Sequence, residues 1–149
     1  MIRGSCLCGD VRLEISGAVS GGSHCHCSMC RKAHGAAFGT YALANAADFR
    51  IVSGADRITR YASSSGVSRT FCSRCGSNLQ WQIETKPDIV EIALGVLDDD
   101  PGVRPDKHIM IDFKSAWFEI TDSLPRHDEH VSRRDHLLAM LLNARRGTT

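Results

Sequence analysis

The sequence has no apolar run that approaches the roughly 20 residues a membrane-spanning helix needs. Its first ten residues contain no apolar stretch like the core of a secretion signal. It also has no low-complexity tract and no repeat long enough to indicate a solenoid. We therefore expect a cytoplasmic protein with no membrane partner, in a compartment where thiols stay reduced.

An excess of charge of one sign is also missing. Lys and Arg number 18 against 17 Asp and Glu, so the formal net charge is +1. Proteins built mainly to bind nucleic acid or anionic membranes carry a strongly basic surface. We therefore expect no nucleic-acid partner. The 149 residues, 42% of them hydrophobic, suit one globular core.

Short strand patterns dominate the chain. Val11, Leu13 and Ile15 alternate with Arg12 and Glu14, a pattern typical of a half-buried strand. The run 89–97 is apolar and β-branched, which predicts a central strand. Further strands are predicted at 38–43, 57–61, 68–71, 78–83 and 109–111. The sequence therefore indicates a mainly β fold.

Helical signals are few. Ser132 and Asp135 form a capping pattern that predicts a helix over 133–144. A short turn of helix is also predicted around 28–33. We interpret the leucine stripe of the terminal helix as a core contact or a homodimer contact rather than a cofactor site. That stripe consists of Leu137, Leu138, Leu141 and Leu142.

Seven cysteines are the most informative residues of the chain. Their odd number, with no secretion signal, argues against a disulfide framework, and their clustering at short spacings indicates metal binding. They fall into three groups: Cys6 and Cys8, then Cys25, Cys27 and Cys30, then Cys72 and Cys75.

Counting ligands sorts these groups into two sites. A closed structural zinc site takes four ligands, and a pair of cysteines cannot enclose a metal alone. If each group stays whole, only the first and last together give four. We therefore predict a structural zinc at Cys6, Cys8, Cys72 and Cys75, here named the quartet. The alternative is that these are buried free cysteines.

Cys25, Cys27 and Cys30, here named the trio, supply only three thiolates. Catalytic zinc sites typically leave the fourth position to water or substrate. A zinc with three thiolates carries a net charge of about −1, which suits delivering an incoming thiolate more than activating water. One alternative is that the site binds zinc weakly and is often empty. Another is that a nearby histidine closes it: His24, His26 or His34.

Three motifs carry a resemblance to a known family: GSCLCG at 4–9, HCHCSMCR at 24–31 and FCSRCGS at 71–77. Together they resemble the glutathione-dependent formaldehyde-activating enzyme family, which also includes centromere protein V. The resemblance continues through His108 and the segment Ala-Trp-Phe at 116–118. It covers residues 3–127.

The resemblance implies a mainly β, zinc-stapled fold of the Mss4-like kind over 1–127. The predicted terminal helix then makes 128–149 a helical extension of that domain. It implies a structural zinc at the quartet and a catalytic zinc at the trio. The implied activity is that of a carbon–sulfur lyase, which reversibly condenses formaldehyde with glutathione to S-hydroxymethylglutathione. The expected partners are therefore a small thiol such as glutathione and an aldehyde.

Two further residues are predicted to serve the catalytic site. His108 is a candidate proton shuttle, because its unperturbed pKa lies near 6.5, and Trp117 is a candidate pocket wall. Their alternatives are a surface histidine and a core tryptophan. Four basic residues are candidates for binding the carboxylates of glutathione, and solvated surface charge is the alternative for each. They are Arg31, Lys32, Arg69 and Arg74.

Two functions compete with the enzyme. In a non-catalytic interaction module, both zinc ions would be structural and the surface would recruit a partner. In a thiol-based redox or metal sensor, a solvent-accessible thiolate cluster would respond to oxidation. A fourth ligand from solvent or substrate favours the enzyme, and a fourth protein ligand favours the module.

Overall fold

The computed structural model describes residues 1–128, which are mainly β-strand. The strands are β1 (Ile2–Ser5), β2 (Arg12–Ile15), β3 (Val19–Cys25), β4 (Gly39–Asn45), β5 (Phe49–Ser53), β6 (Ile58–Ser64), β7 (Val67–Cys72), β8 (Asn78–Ile83), β9 (Ile89–Ala93), β10 (Lys107–Ile109) and β11 (Arg126–His127). The α-helix α1 spans Ser28–His34. Short 3-10 turns cover Ala46–Asp48, Ala55–Arg57, Leu94–Val96 and Ile111–Phe113. The mainly β fold predicted from the sequence is confirmed.

The strands form two sheets. The small sheet has the order β1-β2-β5, and the large sheet has the order β11-β10-β3-β4-β9-β8-β7-β6. Neighbouring strands are antiparallel except at one end of the large sheet, where β10 runs parallel to both β3 and β11. A single bridge between Gly4 and Leu97 connects β1 to the chain that follows β9.

A shared hydrophobic core holds the two sheets together. Leu13 and Ile15 of β2 pack in one buried cluster with Ala44 of β4 and Ile92 of β9. The alternation read from the sequence therefore turns these β2 side chains inward, as a half-buried strand requires. Burial of this apolar area is the main source of stability for the sheet pair.

Two strand predictions need correction. The strand predicted over 89–97 is central, since β9 lies between β4 and β8, but it ends at Ala93. The chain then turns through Leu94–Val96. The strand predicted over 109–111 is Lys107–Ile109 instead, because Met110 adopts a left-handed conformation with φ of 58°. A residue in that conformation cannot continue an extended strand.

The other element predictions have mixed outcomes. The turn of helix predicted around 28–33 is confirmed as α1. The helix predicted over 133–144, with its leucine stripe, lies outside the described residues, as does nearly all of the proposed 128–149 extension. Within the described part of the chain, no helix is long and apolar enough to cross a membrane.

Candidate functional site

The quartet sulfurs come together between the two sheets. Cys6 and Cys8 lie in the turn after β1, Cys72 is the last residue of β7, and Cys75 lies in the turn that leads to β8. The Sγ atoms all lie within 4.8 Å of one another. The Cys6–Cys8 and Cys8–Cys72 sulfur distances are 3.5 Å and 3.9 Å. The structure therefore brings together the four cysteines that ligand counting grouped.

Backbone hydrogen bonds shape both turns of the quartet. The Gly9 amide donates to the Cys6 carbonyl at 2.9 Å, and the Gly76 amide donates to the Cys72 carbonyl at 2.8 Å. Gly9 and Gly76 have φ of 76° and 77°, a conformation that favours glycine. The turns also bind each other, because the Leu7 amide donates to Ser77 Oγ at 2.9 Å.

The donor set of the quartet fits a divalent metal. Cys6 and Cys72 are 3% and 0% exposed, and all seven cysteines of the chain are free of disulfides. A side-chain hydrogen bond between Cys75 and Ser77, together with one from the Ser77 amide, lowers the pKa of Cys75 to about 5. Four sulfurs so close cannot all ionise unless a cation neutralises them. Four thiolates around one ion are a typical structural zinc set.

The trio lies at the junction of β3 and α1. Cys25 ends β3, Cys27 is the N-cap residue of α1, and Cys30 lies in the first helical turn. The Cys30 amide donates to Cys27 Sγ at 3.3 Å, so one thiol both caps the helix and belongs to the cluster. The three Sγ atoms lie within 4.8 Å of one another. The cysteines are 3%, 7% and 3% exposed in chain order.

The pKa values of Cys25 and Cys27 are shifted in opposite directions. Hydrogen bonds from the neighbouring cysteine thiols, followed by those from the Cys30 and Met29 amides, lower the pKa of Cys27 to about 2. The pKa of Cys25 is raised far above its usual range by its two cysteine neighbours and by burial. Three thiolates in this space need a cation, so the donor set also fits a divalent metal.

No histidine joins the trio among residues 1–128, so the closed second site considered above finds no support there. Two of the three candidate histidines are hydrogen-bonded to hydroxyl groups elsewhere. His24 Nδ1 lies 2.9 Å from Thr40 Oγ1, and His34 Nε2 lies 2.7 Å from the Tyr41 hydroxyl. The trio therefore supplies three protein ligands from the described residues and no fourth.

Arg69 of β7 lies against the trio. Its Nη2 lies 3.6 Å from Cys30 Sγ, its Nη1 donates to the Tyr41 hydroxyl at 3.1 Å, and its guanidinium lies over the Trp81 ring. Arg69 is only 7% exposed, so surface charge is the wrong interpretation for this residue. Its positive charge faces a cluster that would keep a net negative charge with a divalent ion bound.

His108 is buried rather than on the surface, with 1% exposure. Its Nδ1 lies 2.8 Å from His26 Nε2, and its Nε2 lies 3.1 Å from the carboxylate of Asp122. The pKa of His26 is lowered to about 4 by burial and then by the charge on His108. The hydrogen-bond network thus runs from the half-exposed carboxylate of Asp122, through His108, to His26, which lies between Cys25 and Cys27 in the sequence.

The Asp122 carboxylate determines which ring nitrogens of His108 and His26 carry a proton. A neutral His108 that donates Nε2–H to Asp122 must accept at Nδ1, so His26 donates its Nε2–H. His26 Nδ1 is then an acceptor, and this buried atom has no hydrogen-bond partner among the described residues.

Trp117 occupies an exposed position, with 73% of its surface accessible, so the core alternative is wrong. Its ring contacts Phe118 at a centroid distance of 6.3 Å, and Phe118 in turn packs on Phe38 and His26. The segment is tied to α1 because Arg31 Nη1 donates to Ser115 Oγ at 2.8 Å.

Two cavities are lined in part by residues that contact the trio or pack in the same cluster. The larger, of about 390 Å³, lies beside α1 and is lined by Arg69, Lys32 and Asn78 among others. The smaller, of about 50 Å³, lies on the face of β3, β4, β8 and β9 and includes Tyr41 and Trp81. Tyr41 and Trp81 pack directly in the cluster that contains the trio.

Sequence reasoning missed several of these residues. Tyr41 and Trp81 lie on predicted strands, but nothing in the strand pattern distinguishes a site residue from a core residue. Asp122 lies in a segment without any motif, and its contact with His108 depends on long-range strand pairing. The three cysteine motifs are the signal that did locate the site.

The fold and the two clusters define a mainly β protein with one four-cysteine and one three-cysteine centre, each suited to a metal ion. Comparisons with known proteins agree with this class. The family model described as "Glutathione-dependent formaldehyde-activating enzyme" matches residues 1–112. The chain therefore belongs to the glutathione-dependent formaldehyde-activating enzyme family.

Individual relatives support the same assignment. The chain is 34% identical over 128 residues to a putative glutathione-dependent formaldehyde-activating enzyme of Halomonas elongata, covering 80% of this chain and 81% of the relative. A Fusarium vanettenii protein of the same description is 29% identical over 83 residues, 56% of this chain and 45% of that protein. A crystal structure of a Rhodobacter sphaeroides protein superimposes with a TM-score of 0.58 at 26% identity, covering 83% of this chain and 98% of that one.

Proposed function

We propose that the protein is a zinc-dependent carbon–sulfur lyase of the cytoplasm that forms and cleaves an aldehyde–thiol adduct such as S-hydroxymethylglutathione. The observation that carries this proposal is the trio: three buried thiols within 4.8 Å and no fourth protein ligand among residues 1–128. A centre with three protein ligands can accept a substrate atom as the fourth. The family name supplies the substrates, glutathione and formaldehyde.

Zinc is the metal that best fits both donor sets. Thiolate ligands select soft or borderline ions, and tetrahedral thiolate sites are typical of zinc. In this proposal the quartet holds a structural ion and the trio holds the catalytic one. When bound at the trio, zinc would keep an incoming thiol ionised at neutral pH and would act as a Lewis acid towards the aldehyde oxygen.

The reaction involves no oxidant or reductant. The sulfur lone pair of the thiol forms a new C–S bond with the aldehyde carbon, and the C=O π electrons move to oxygen. The proton lost from sulfur ends on that oxygen, which gives the hydroxymethyl thioether. The reverse reaction breaks the same bond and returns the proton to sulfur.

The surroundings of the trio suit this chemistry. Tyr41, Trp81 and Ile109 pack with the three cysteines and exclude water from the thiols. Arg69 lies beside Cys30 and offsets the negative charge of the thiolates. Such a setting favours an ionised thiol over a water nucleophile.

We propose that His108 moves the proton between solvent and the site, through His26, with Asp122 as its orienting partner. His108 touches His26 and Asp122 rather than the trio, and His24 packs on its ring at 5.0 Å. We propose that Trp117 forms a wall at the mouth of the site, because its neighbour Phe118 packs on His26.

Replacing His108 tests its role. We expect His108→Gln to lower kcat about 100-fold, the usual scale for loss of a general acid–base group. We expect the zinc content to stay at two ions per chain. A variant that loses thermal stability but keeps the wild-type kcat would show that His108 is only structural.

The proposed reaction itself can be tested by exchange NMR. With ¹³C-formaldehyde and glutathione at equilibrium, we expect the zinc-loaded protein to accelerate exchange between free aldehyde and adduct. Free zinc at the same concentration is the control. An exchange rate equal to that of the protein-free mixture would refute the lyase. Elemental analysis of the same sample should give two zinc ions per chain.

The burial of the trio weighs against the sensor alternative. That idea was motivated by a solvent-accessible thiolate cluster, whereas these cysteines are 3%, 7% and 3% exposed. An interaction module with two closed sites requires a fourth protein ligand, which the described residues do not offer to the trio.

A further inference from the structure

We propose that the cavity of about 390 Å³ beside α1, here named the α1 pocket, binds the carboxylate-bearing part of the thiol substrate, with Lys32 and Arg69 as its cationic contacts. This inference rests on the proposed function, because it assigns a place to the substrate of that reaction. It also selects two of the four basic residues that the sequence offered for this role.

The charge of the α1 pocket is the first argument. Lys32 and Arg69 both line it, and none of its lining residues is acidic. Ion pairs found over residues 1–128 include neither of these side chains. A cavity with two cations and no counter-charge of its own favours an anionic ligand.

The burial of Arg69 is the second argument. Only 7% of the Arg69 surface is exposed, and its Nε–H has no hydrogen-bond partner in the described part of the protein. Removing a guanidinium from water is costly unless an anion lies close to it. Cys30 Sγ at 3.6 Å is one such group, and a substrate carboxylate in the pocket would be a second.

The position of the α1 pocket is the third argument. Arg69 lines the pocket and also contacts Cys30, so the pocket and the trio share a wall. A thiol held there by its carboxylate would have its sulfur on the side of the pocket where Arg69 contacts Cys30. The pocket volume falls within the range of about 300–1,000 Å³ that is usual for small-molecule sites. The cavity of about 50 Å³ on the sheet face is too small for a tripeptide.

The other two basic candidates are committed elsewhere. Arg31 donates to Ser115 and to the His26 carbonyl, and it does not line the α1 pocket. Arg74 pairs with Asp10 at 2.9 Å beside the quartet. Neither arrangement leaves the guanidinium directed at the trio.

The remaining lining suits a peptide-like thiol. Tyr61 and Phe71 provide aromatic surface, and Met29 provides a flexible apolar contact at the start of α1. Asn78 adds a polar amide, which is held in place because its nitrogen donates to Tyr41 and lies 3.0 Å from His34. The chemical class that fits is a small peptide thiol with at least one carboxylate.

Binding of S-methylglutathione to the zinc-loaded full-length protein tests this proposal by calorimetry. The probe keeps both carboxylates but has no thiol, so its affinity reports the pocket rather than the metal. We expect Lys32→Ala to weaken binding about threefold and Lys32→Glu about tenfold or more, in line with partly exposed ion pairs. Lys86→Ala, which makes the same charge change at the smaller cavity, should change the affinity less than twofold.

A second variant addresses Arg69. Arg69→Lys keeps the charge but loses the planar fork, so we expect binding of the probe to weaken about fivefold, with circular dichroism unchanged. Unaltered affinity in all Lys32 and Arg69 variants, or an equal loss in Lys86→Ala, would overturn the pocket assignment.

The outcome for the pocket can be separated from the outcome for the lyase. If exchange with formaldehyde is accelerated for glutathione and for 2-mercaptoethanol, which has no carboxylate, the lyase stands even where the Lys32 variants bind the probe normally. If no thiol is accelerated but Lys32→Glu still weakens binding of S-methylglutathione, the pocket stands and the lyase fails.

Discussion

Cys72→Ser should leave the protein unfolded at 25 °C. Cys72 is fully buried at the end of β7, and its sulfur lies 3.9 Å from that of Cys8 across the junction of the two sheets. Structural zinc contributes on the order of 10–16 kcal/mol in small domains, whereas a domain's net stability is about 5–15 kcal/mol. Losing one ligand of the quartet therefore removes a stabilisation comparable to the net free energy of unfolding of the whole domain.

Thermal melting by circular dichroism, with zinc analysis, measures this effect. Ser73→Ala is the matched control, because Ser73 is the exposed neighbour and, among residues 1–128, only its backbone amide makes a hydrogen bond. We expect the control to melt like the wild type with two zinc ions. A Cys72→Ser protein that melts within a few degrees of the wild type would show that the quartet does not hold a structural metal.

Cys27→Ser should abolish the acceleration of aldehyde–thiol exchange and leave the fold intact. The trio lies within the large sheet and α1, so it does not connect the two sheets. Serine is also a favourable N-cap residue, so the hydrogen bond from the Cys30 amide can be kept. A serine hydroxyl is a poor replacement for a thiolate as a zinc ligand.

Two readings of one sample test this prediction. The exchange rate should fall to that of the uncatalysed mixture, and the zinc content should fall from two ions per chain to one. Ser28→Ala, at the exposed next position, should keep both ions and full activity. If Cys27→Ser unfolds the protein while Cys72→Ser does not, the structural and catalytic roles of the two clusters are reversed.

The cysteine clusters could be predicted from sequence because metal ligands obey a counting rule. Groups of two, three and two thiols allow only one union of four, and the Sγ distances agree with it. The short strands could be predicted because side chains alternate along a half-buried sheet, as for Leu13 and Ile15. The cysteine groups and the alternation are both visible in short stretches of sequence, and the ligand count then joins two groups that are far apart along the chain.

The surroundings of the trio could not be predicted in the same way. Arg69 is buried because β7 pairs with β8 and places it opposite Trp81, a relation set by strand register. His108 is buried because β10 runs parallel to β3 and β11, far apart along the chain. The end of β10 was missed because Met110 adopts a backbone conformation that its residue type seldom takes.

The separation of the quartet from the trio has an evolutionary consequence. Because the junction between the two sheets does not include the trio, substitutions around α1 can alter or remove the chemistry proposed for the trio while the fold is kept. A family with these two separate cysteine centres can acquire new substrates, or lose catalytic activity, while it keeps the same fold.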